Sequence, residues 1–228
     1  MYRIVNAYTV AFFDRYLKGQ PSPLLDGPPE DFPESLVLDV LFFVFPVLGL
    51  TVIIEAIFEN REAKQALYQD LQKKMKPGAL LATNTSSIPL EELRTVLDDP
   101  RRFIGLHFFN PVAMLPLVEV IRCDDTDESA IDIGFAFTKA VGKLPLLCAS
   151  SPGFVVNRIL APYMGEAMHL AEEGVALKDI DDAAVAFGMP MGPVELADSV
   201  GLDVVLHVSR VLGGTLDRAV PEELAGLV

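Results

Sequence analysis

Only two cysteines, Cys123 and Cys148, occur among the 228 residues. They are too few for a disulfide framework and lack the spacing of metal ligands, so they read as buried thiols of a reducing compartment, and no structural metal is expected. Basic residues are scarce as well. Lys and Arg number 18 against 32 Asp and Glu, a formal charge of -14. Such a surface repels phosphate backbones and excludes general nucleic-acid binding, so an anionic ligand would need local cations or backbone N–H groups. No Gly-x-Ser-x-Gly occurs, which leaves a hydrolase nucleophile without support. The N-terminus lacks the basic region, apolar stretch and small-residue cleavage site of a secretory signal; cytoplasmic residence is the expectation.

Long hydrophobic runs are also missing. The most apolar stretch, 36–54, contains Asp39, Pro46 and Gly49. Its uncharged part falls short of the roughly twenty residues of a membrane-spanning helix. Within it 51–57 reads as a buried strand, while 40–45 is open between a strand and a membrane-associated helix.

What the chain does have is apolar residues, at 51%, enough for a sizeable core in one large domain or two modest ones. Residues 61–76 place Ala63, Leu67, Leu71 and Met75 at helical spacing, and Pro77-Gly78 ends the pattern. Strands are expected at 79–83, 103–106, 117–121 and 144–147. Between them fall a short helix opened by Pro89, with Glu91 and Glu92 in its first turn, and a longer one over 128–141. Strand alternating with helix predicts an α/β fold built on a doubly wound, Rossmann-like parallel sheet. Beyond Ser150 the pattern is helical, at 154–173, 180–187, 194–199 and 202–212. An all-α C-terminal domain therefore follows, with its boundary near Ser150.

One His and one Glu, each bracketed by apolar residues, lie in 103–120. His107 closes one expected strand and Glu119 lies within the next, so neighbouring strands could bring them together. An imidazole with a carboxylate behind one ring nitrogen is fixed in tautomer and suited to general-base work. The alternative is a buried structural pair.

Four further stretches bear on that choice. Asn84-Thr85-Ser86-Ser87, His107-Phe108-Phe109-Asn110-Pro111, Leu117-Val118-Glu119-Val120 and Ser151-Pro152-Gly153-Phe154-Val155-Val156-Asn157-Arg158 occur in that order. Together they closely resemble the 3-hydroxyacyl-CoA dehydrogenase family, in particular the dehydrogenase part of the multifunctional fatty-acid oxidation alpha subunits. The likeness runs from about Leu50 to the C-terminus. It implies oxidation of an L-3-hydroxyacyl-CoA to the 3-ketoacyl-CoA with NAD, His107 and Glu119 being catalytic. It implies that Ser86 and Asn157 contact substrate, and that Glu59, Asn60, Lys64, Asn84, Ser86 and Asn110 lie around the cofactor. From the residues alone, Thr-Ser-Ser and Asn-Pro are ordinary turns, and Glu59 to Lys64 an ordinary solvated helix start.

The chain departs from that family at its beginning. No Gly-x-Gly-x-x-Gly occurs, so the turn that admits a pyrophosphate, and the ribose carboxylate about twenty residues after it, have no counterpart. Residues 1–49 form an unassigned segment outside the resemblance. Within it, a possible short helix at 7–16 weakly resembles the closing tail of a dienelactone-hydrolase-like protein, as a gene fusion or misjoined frame would produce. The expectation is a family member lacking its N-terminal part, with 50–150 the remainder of an NAD-binding domain, 151–228 a shortened helical domain, weak or absent NAD affinity, and turnover by this chain alone in doubt. The rival reading is a noncatalytic module that pairs with a second copy through its helical domain. Acyl-CoA is the expected small-molecule partner, and membrane attachment is not favoured.

Overall fold

The computed structural model describes residues 42–47, 50–109, 112–113, 115–202, 205–206, 208–209 and 212. The chain falls into two compact units, Met1–Ser151 and Pro152–Val228. The helix expected at 7–16 and the cofactor position Asn110 lie outside the described residues.

The first unit is a six-stranded sheet in sequence order: β1 (Phe42–Val47), β2 (Leu50–Glu55), β3 (Leu80–Thr83), β4 (Phe103–Phe108), β5 (Leu117–Arg122) and β6 (Leu144–Ala149). The open choice at 40–45 resolves as strand β1. Helix α1 (Arg61–Gln72) joins β2 to β3, α2 (Leu90–Leu93) precedes β4, and α3 (Glu128–Ala140) joins β5 to β6. Among the described residues no helix is long and apolar enough to cross a membrane.

The pairs β2–β3, β3–β4 and β5–β6 are parallel, whereas β1–β2 and β4–β5 are antiparallel. The doubly wound pattern thus holds wherever a helix intervenes, but the sheet is not parallel throughout. The cause is connection length. A parallel return needs a crossover of a dozen or more residues, and neither 48–49 nor 109–116 provides one.

Period-two alternation gives the sheet two different faces. On one, Val52, Ile54, Leu80, Ala82, Ile104, Leu106, Val118 and Val120 pack against Ala130, Ile133 and Phe137 of α3 in one buried cluster. Gly134 lets α3 approach closely, since a Cβ there would meet Ile104 Cδ1 at 2.6 Å. On the other face α1 supplies Tyr68, whose ring centroid lies 5.4 Å from that of Phe103. Helix α1 starts at an N-cap, Asn60, whose side chain accepts from Ala63 N at 2.9 Å. It ends at Gln72, short of the expected Lys76, where Lys74 N turns back to Leu71 O in a tighter i→i−3 bond of 2.8 Å.

The second unit is helical: α4 (Val156–Glu172), α5 (Leu177–Phe187) and α6 (Pro193–Val200), with residues 202, 205, 206, 208, 209 and 212 also helical. Val205 and Leu206 are its buried centre, against Met164, Met168, Ala197 and Leu202. The first turn of α6 is capped from α5. Asp181 Oδ1 accepts from Val194 N at 2.8 Å and Oδ2 from Glu195 N at 3.1 Å, placing negative charge at the helix N-terminus. Only glycine fits at 192, where a Cβ would lie 2.2 Å from the Asp181 carboxyl.

Candidate active site

The antiparallel register of β4 and β5 sets His107 directly opposite Glu119. Both therefore point to the same face, the one away from α3. Two rungs along the ladder, Gly105 leaves its space to Ile121, since a Cβ at 105 would meet Ile121 Cδ1 at 2.7 Å. His107 Nδ1 lies 2.7 Å from Glu119 Oε2, with the side chains 7% and 0% exposed. A carboxylate only accepts, so Nδ1 carries the proton and Nε2 is the basic nitrogen. The Phe109 ring flanks the imidazole at 4.5 Å between centroids.

Glu119 has a further partner that sequence reasoning missed. Cys148 Sγ, on β6, lies 3.8 Å from Glu119 Oε1. Burial and then the Glu119 charge push this thiol up to about 12, so it stays protonated and donates weakly to the carboxylate. Residues 146 and 148 share a face by strand alternation, and Leu146 pairs with Glu119. That alternation was the available signal.

The turn after β3 carries Ser86. It is organised by Glu59, whose Oε1 accepts from Thr85 Oγ1 at 2.5 Å, Ser86 N at 3.0 Å, Ser87 N at 3.1 Å and Ser87 Oγ at 3.1 Å. Burial alone would raise the Glu59 carboxyl, but Lys64, the Thr85 hydroxyl and the two amides outweigh it and hold it below the usual range. Asn84 Oδ1 accepts from Phe108 N at 2.9 Å, tying this turn to the residue after His107.

Behind the turn lies a buried charged group. Lys64 Nζ is 2.7 Å from Glu55 Oε1 and 3.5 Å from Glu59 Oε2, and it donates to Ile57 O at 3.1 Å. Glu55 Oε2 accepts from Tyr68 OH at 2.6 Å and Thr83 Oγ1 at 2.8 Å. Burial raises the Tyr68 hydroxyl further above its ordinary range, with the Glu55 charge adding to it, so it remains a donor. Glu55, Tyr68 and Thr83 were not foreseen, although a Glu ending the run Val52-Ile53-Ile54 signals a buried carboxylate in need of a cation.

The structure thus brings Glu59, Lys64, Asn84 and Ser86 together with the end of the strand that carries His107. Asn60 spends its side chain on capping α1. Asn157 is half-buried in the first turn of α4, in the second unit. Among the described residues no group of three metal-ligating side chains occurs.

Sequence comparison adds a decisive observation. The description "3-hydroxyacyl-CoA dehydrogenase, NAD binding domain" matches residues 46–151, and "3-hydroxyacyl-CoA dehydrogenase, C-terminal domain" matches 153–224. The chain belongs to the 3-hydroxyacyl-CoA dehydrogenase family. Among relatives of this family, the fatty acid oxidation complex subunit alpha of Vibrio campbellii is 41% identical over 163 residues, 72% of this chain and 23% of that protein. That of a Psychrobacter species is 42% identical over 172 residues, 75% and 24% respectively. The chain thus spans about a quarter of the length of these relatives. Two solved structures share its fold. FadB2 of M. tuberculosis gives a TM-score of 0.74 at 38% identity, covering 77% of this chain and 64% of that one. The 3-hydroxybutyryl-CoA dehydrogenase of Escherichia coli K12 gives 0.69 at 39%, covering 74% and 36%.

Proposed function

We propose that this 3-hydroxyacyl-CoA dehydrogenase homologue interconverts L-3-hydroxyacyl-CoA and 3-ketoacyl-CoA in fatty-acid oxidation, in the cytoplasm, with NAD as redox partner. The observation that carries the reading is the 2.7 Å contact between His107 Nδ1 and Glu119 Oε2. With Nδ1 committed to the carboxylate, Nε2 takes the substrate hydroxyl proton, and Glu119 stabilises the imidazolium that forms. Ser86, in the cofactor domain 50–150, hydrogen-bonds the substrate near the reacting carbon; Asn157, in the helical domain 151–228, is taken as a substrate contact from the family resemblance.

The cofactor's two halves fare differently. Glu59, Asn60, Lys64, Asn84, Ser86 and Asn110 would hold the nicotinamide side, and the exposed edge of the Glu59 carboxylate, 24% accessible, suits a ribose hydroxyl. When bound, NAD supplies the nicotinamide ring that accepts hydride from the substrate. Among the described residues the pyrophosphate side has no such set. A Gly-rich turn follows the end of a strand parallel to β2. Here β1 is antiparallel, and its last residue, Val47, pairs with Leu50, at the opposite end of β2 from Glu55. We infer weak NAD affinity.

Purified full chain assayed with acetoacetyl-CoA and NADH is expected to turn over, with a rate that saturates in acetoacetyl-CoA but keeps rising with NADH. No turnover at any NADH concentration, together with no calorimetric binding of acetoacetyl-CoA, would overturn the proposal.

A second reading, pairing of two copies through the helical unit, is favoured by exposed apolar side chains there: Phe187 is 89% accessible, Ile159 65% and Leu177 54%. Sedimentation is expected to give a dimer mass that Phe187→Glu returns to monomer; a monomer in the unsubstituted chain rejects this reading.

A further inference from the structure

Lys64 stands between two carboxylates and is not shared equally. It is in direct contact with Glu55 Oε1 at 2.7 Å and only at the margin of Glu59 Oε2 at 3.5 Å. Glu59 is thereby left to commit its other oxygen, Oε1, to the turn at 85–87. The two arrangements compete. A carboxylate that closed on the ammonium would rotate away from the Ser86 and Ser87 amides, and charge-assisted contacts of this kind are the strong ones.

Glu55 decides the competition. It is fully buried, and four donors converge on it: Lys64 Nζ and Ile57 N at 2.7 and 2.6 Å on Oε1, Tyr68 OH and Thr83 Oγ1 at 2.6 and 2.8 Å on Oε2. The carboxylate is thus fixed from α1, β3 and its own strand end. We propose that Glu55, held by Tyr68 and Thr83, is a positioning residue of the site: it draws the Lys64 ammonium to itself and so frees Glu59 to shape the Ser86 turn. Its functional meaning rests on the reading of Ser86 as a substrate contact, whereas the coupling from Glu55 to the turn does not depend on that reading.

The charge is what matters in this account. With Glu55 neutral, the ammonium has Glu59 as its remaining carboxylate among the described residues, and the turn loses its acceptor. Tyr68→Phe takes one donor from Glu55 but leaves the charge, and the aromatic ring kept at that position still packs on Phe103.

Amide hydrogen exchange on the full chain tests this without cofactor or turnover. In Glu55→Gln the Ser86 and Ser87 amides are expected to exchange at least about tenfold faster, while the amides of Ile104 and Leu106 on β4 keep their rates. In Tyr68→Phe the same two amides are expected to change by a smaller factor. The proposal is overturned if Ser86 and Ser87 exchange as in the parent, if β4 accelerates equally, or if Tyr68→Phe matches Glu55→Gln. A parallel acetoacetyl-CoA titration separates the two readings. Faster exchange with unaltered binding keeps the coupling and removes Ser86 from the substrate site. Unchanged exchange in a protein that His107→Ala inactivates removes the coupling and leaves the enzyme.

Discussion

In His107→Ala the rate of acetoacetyl-CoA reduction is expected to fall by about 10²–10⁴-fold, the usual worth of a positioned general acid–base group. At about 1.4 kcal/mol per tenfold, this raises the barrier by about 2.7–5.5 kcal/mol. The loss belongs in kcat, because the imidazole acts on the proton that moves as the bond changes and contributes little to holding the thioester. Glu119→Gln is expected to show a smaller but parallel loss. The amide preserves the shape and still offers an oxygen to Nδ1–H, yet no longer balances the charge of the imidazolium. Steady-state kinetics with circular dichroism as a fold control checks both. Equal rates in parent and His107→Ala would leave the pair with a packing role only.

The second large effect is on stability. Lys64→Met is expected to cost about 3–5 kcal/mol, the usual penalty for removing one member of a buried ion pair and stranding the other. Here the stranded group is Glu55, 0% exposed, with hydroxyl and amide donors left but no cation. Adding Glu55→Gln to Lys64→Met should recover part of the loss, since position 55 then carries no stranded charge. Urea denaturation of the two variants gives the comparison, and a loss below about 1 kcal/mol for Lys64→Met would contradict the account.

Acidification adds a third comparison. The Glu59 carboxyl is held below its ordinary value of 4.5, burial opposing and Lys64 leading the groups that outweigh it. A depressed native value means its stabilisation is fully present above the unfolded carboxyl value and is lost as pH falls through the native one. Without Lys64 the native value rises, and the acid limb of the stability curve should move to higher pH.

How legible was this in the chain itself? The strands were, because Val52 to Ile54, Leu80 to Ala82 and Phe103 to Leu106 are short apolar runs set between helical periods. The His107–Glu119 contact was, because each residue interrupts such a run. Orientation was harder to read. A parallel sheet followed from alternation of strand and helix, but that argument lapses at 109–116, where no helix fits, and the antiparallel turn there is what sets the two side chains on one rung. The partners of Glu55 were hidden for another reason: the apolar stripe reads as Ala63, Leu67, Leu71 and Met75 and Lys64 as a solvated position, whereas the buried face is that of Lys64 and Tyr68, one turn apart. Cys148 was visible only as an apolar position, since a thiol donating at 3.8 Å leaves no pattern.

The dyad sits on a ladder rung between two neighbouring strands, His107 facing Glu119 across it. Backbone pairing therefore supplies the alignment. A substitution that leaves β4 and β5 paired thus leaves the proton-handling pair in place.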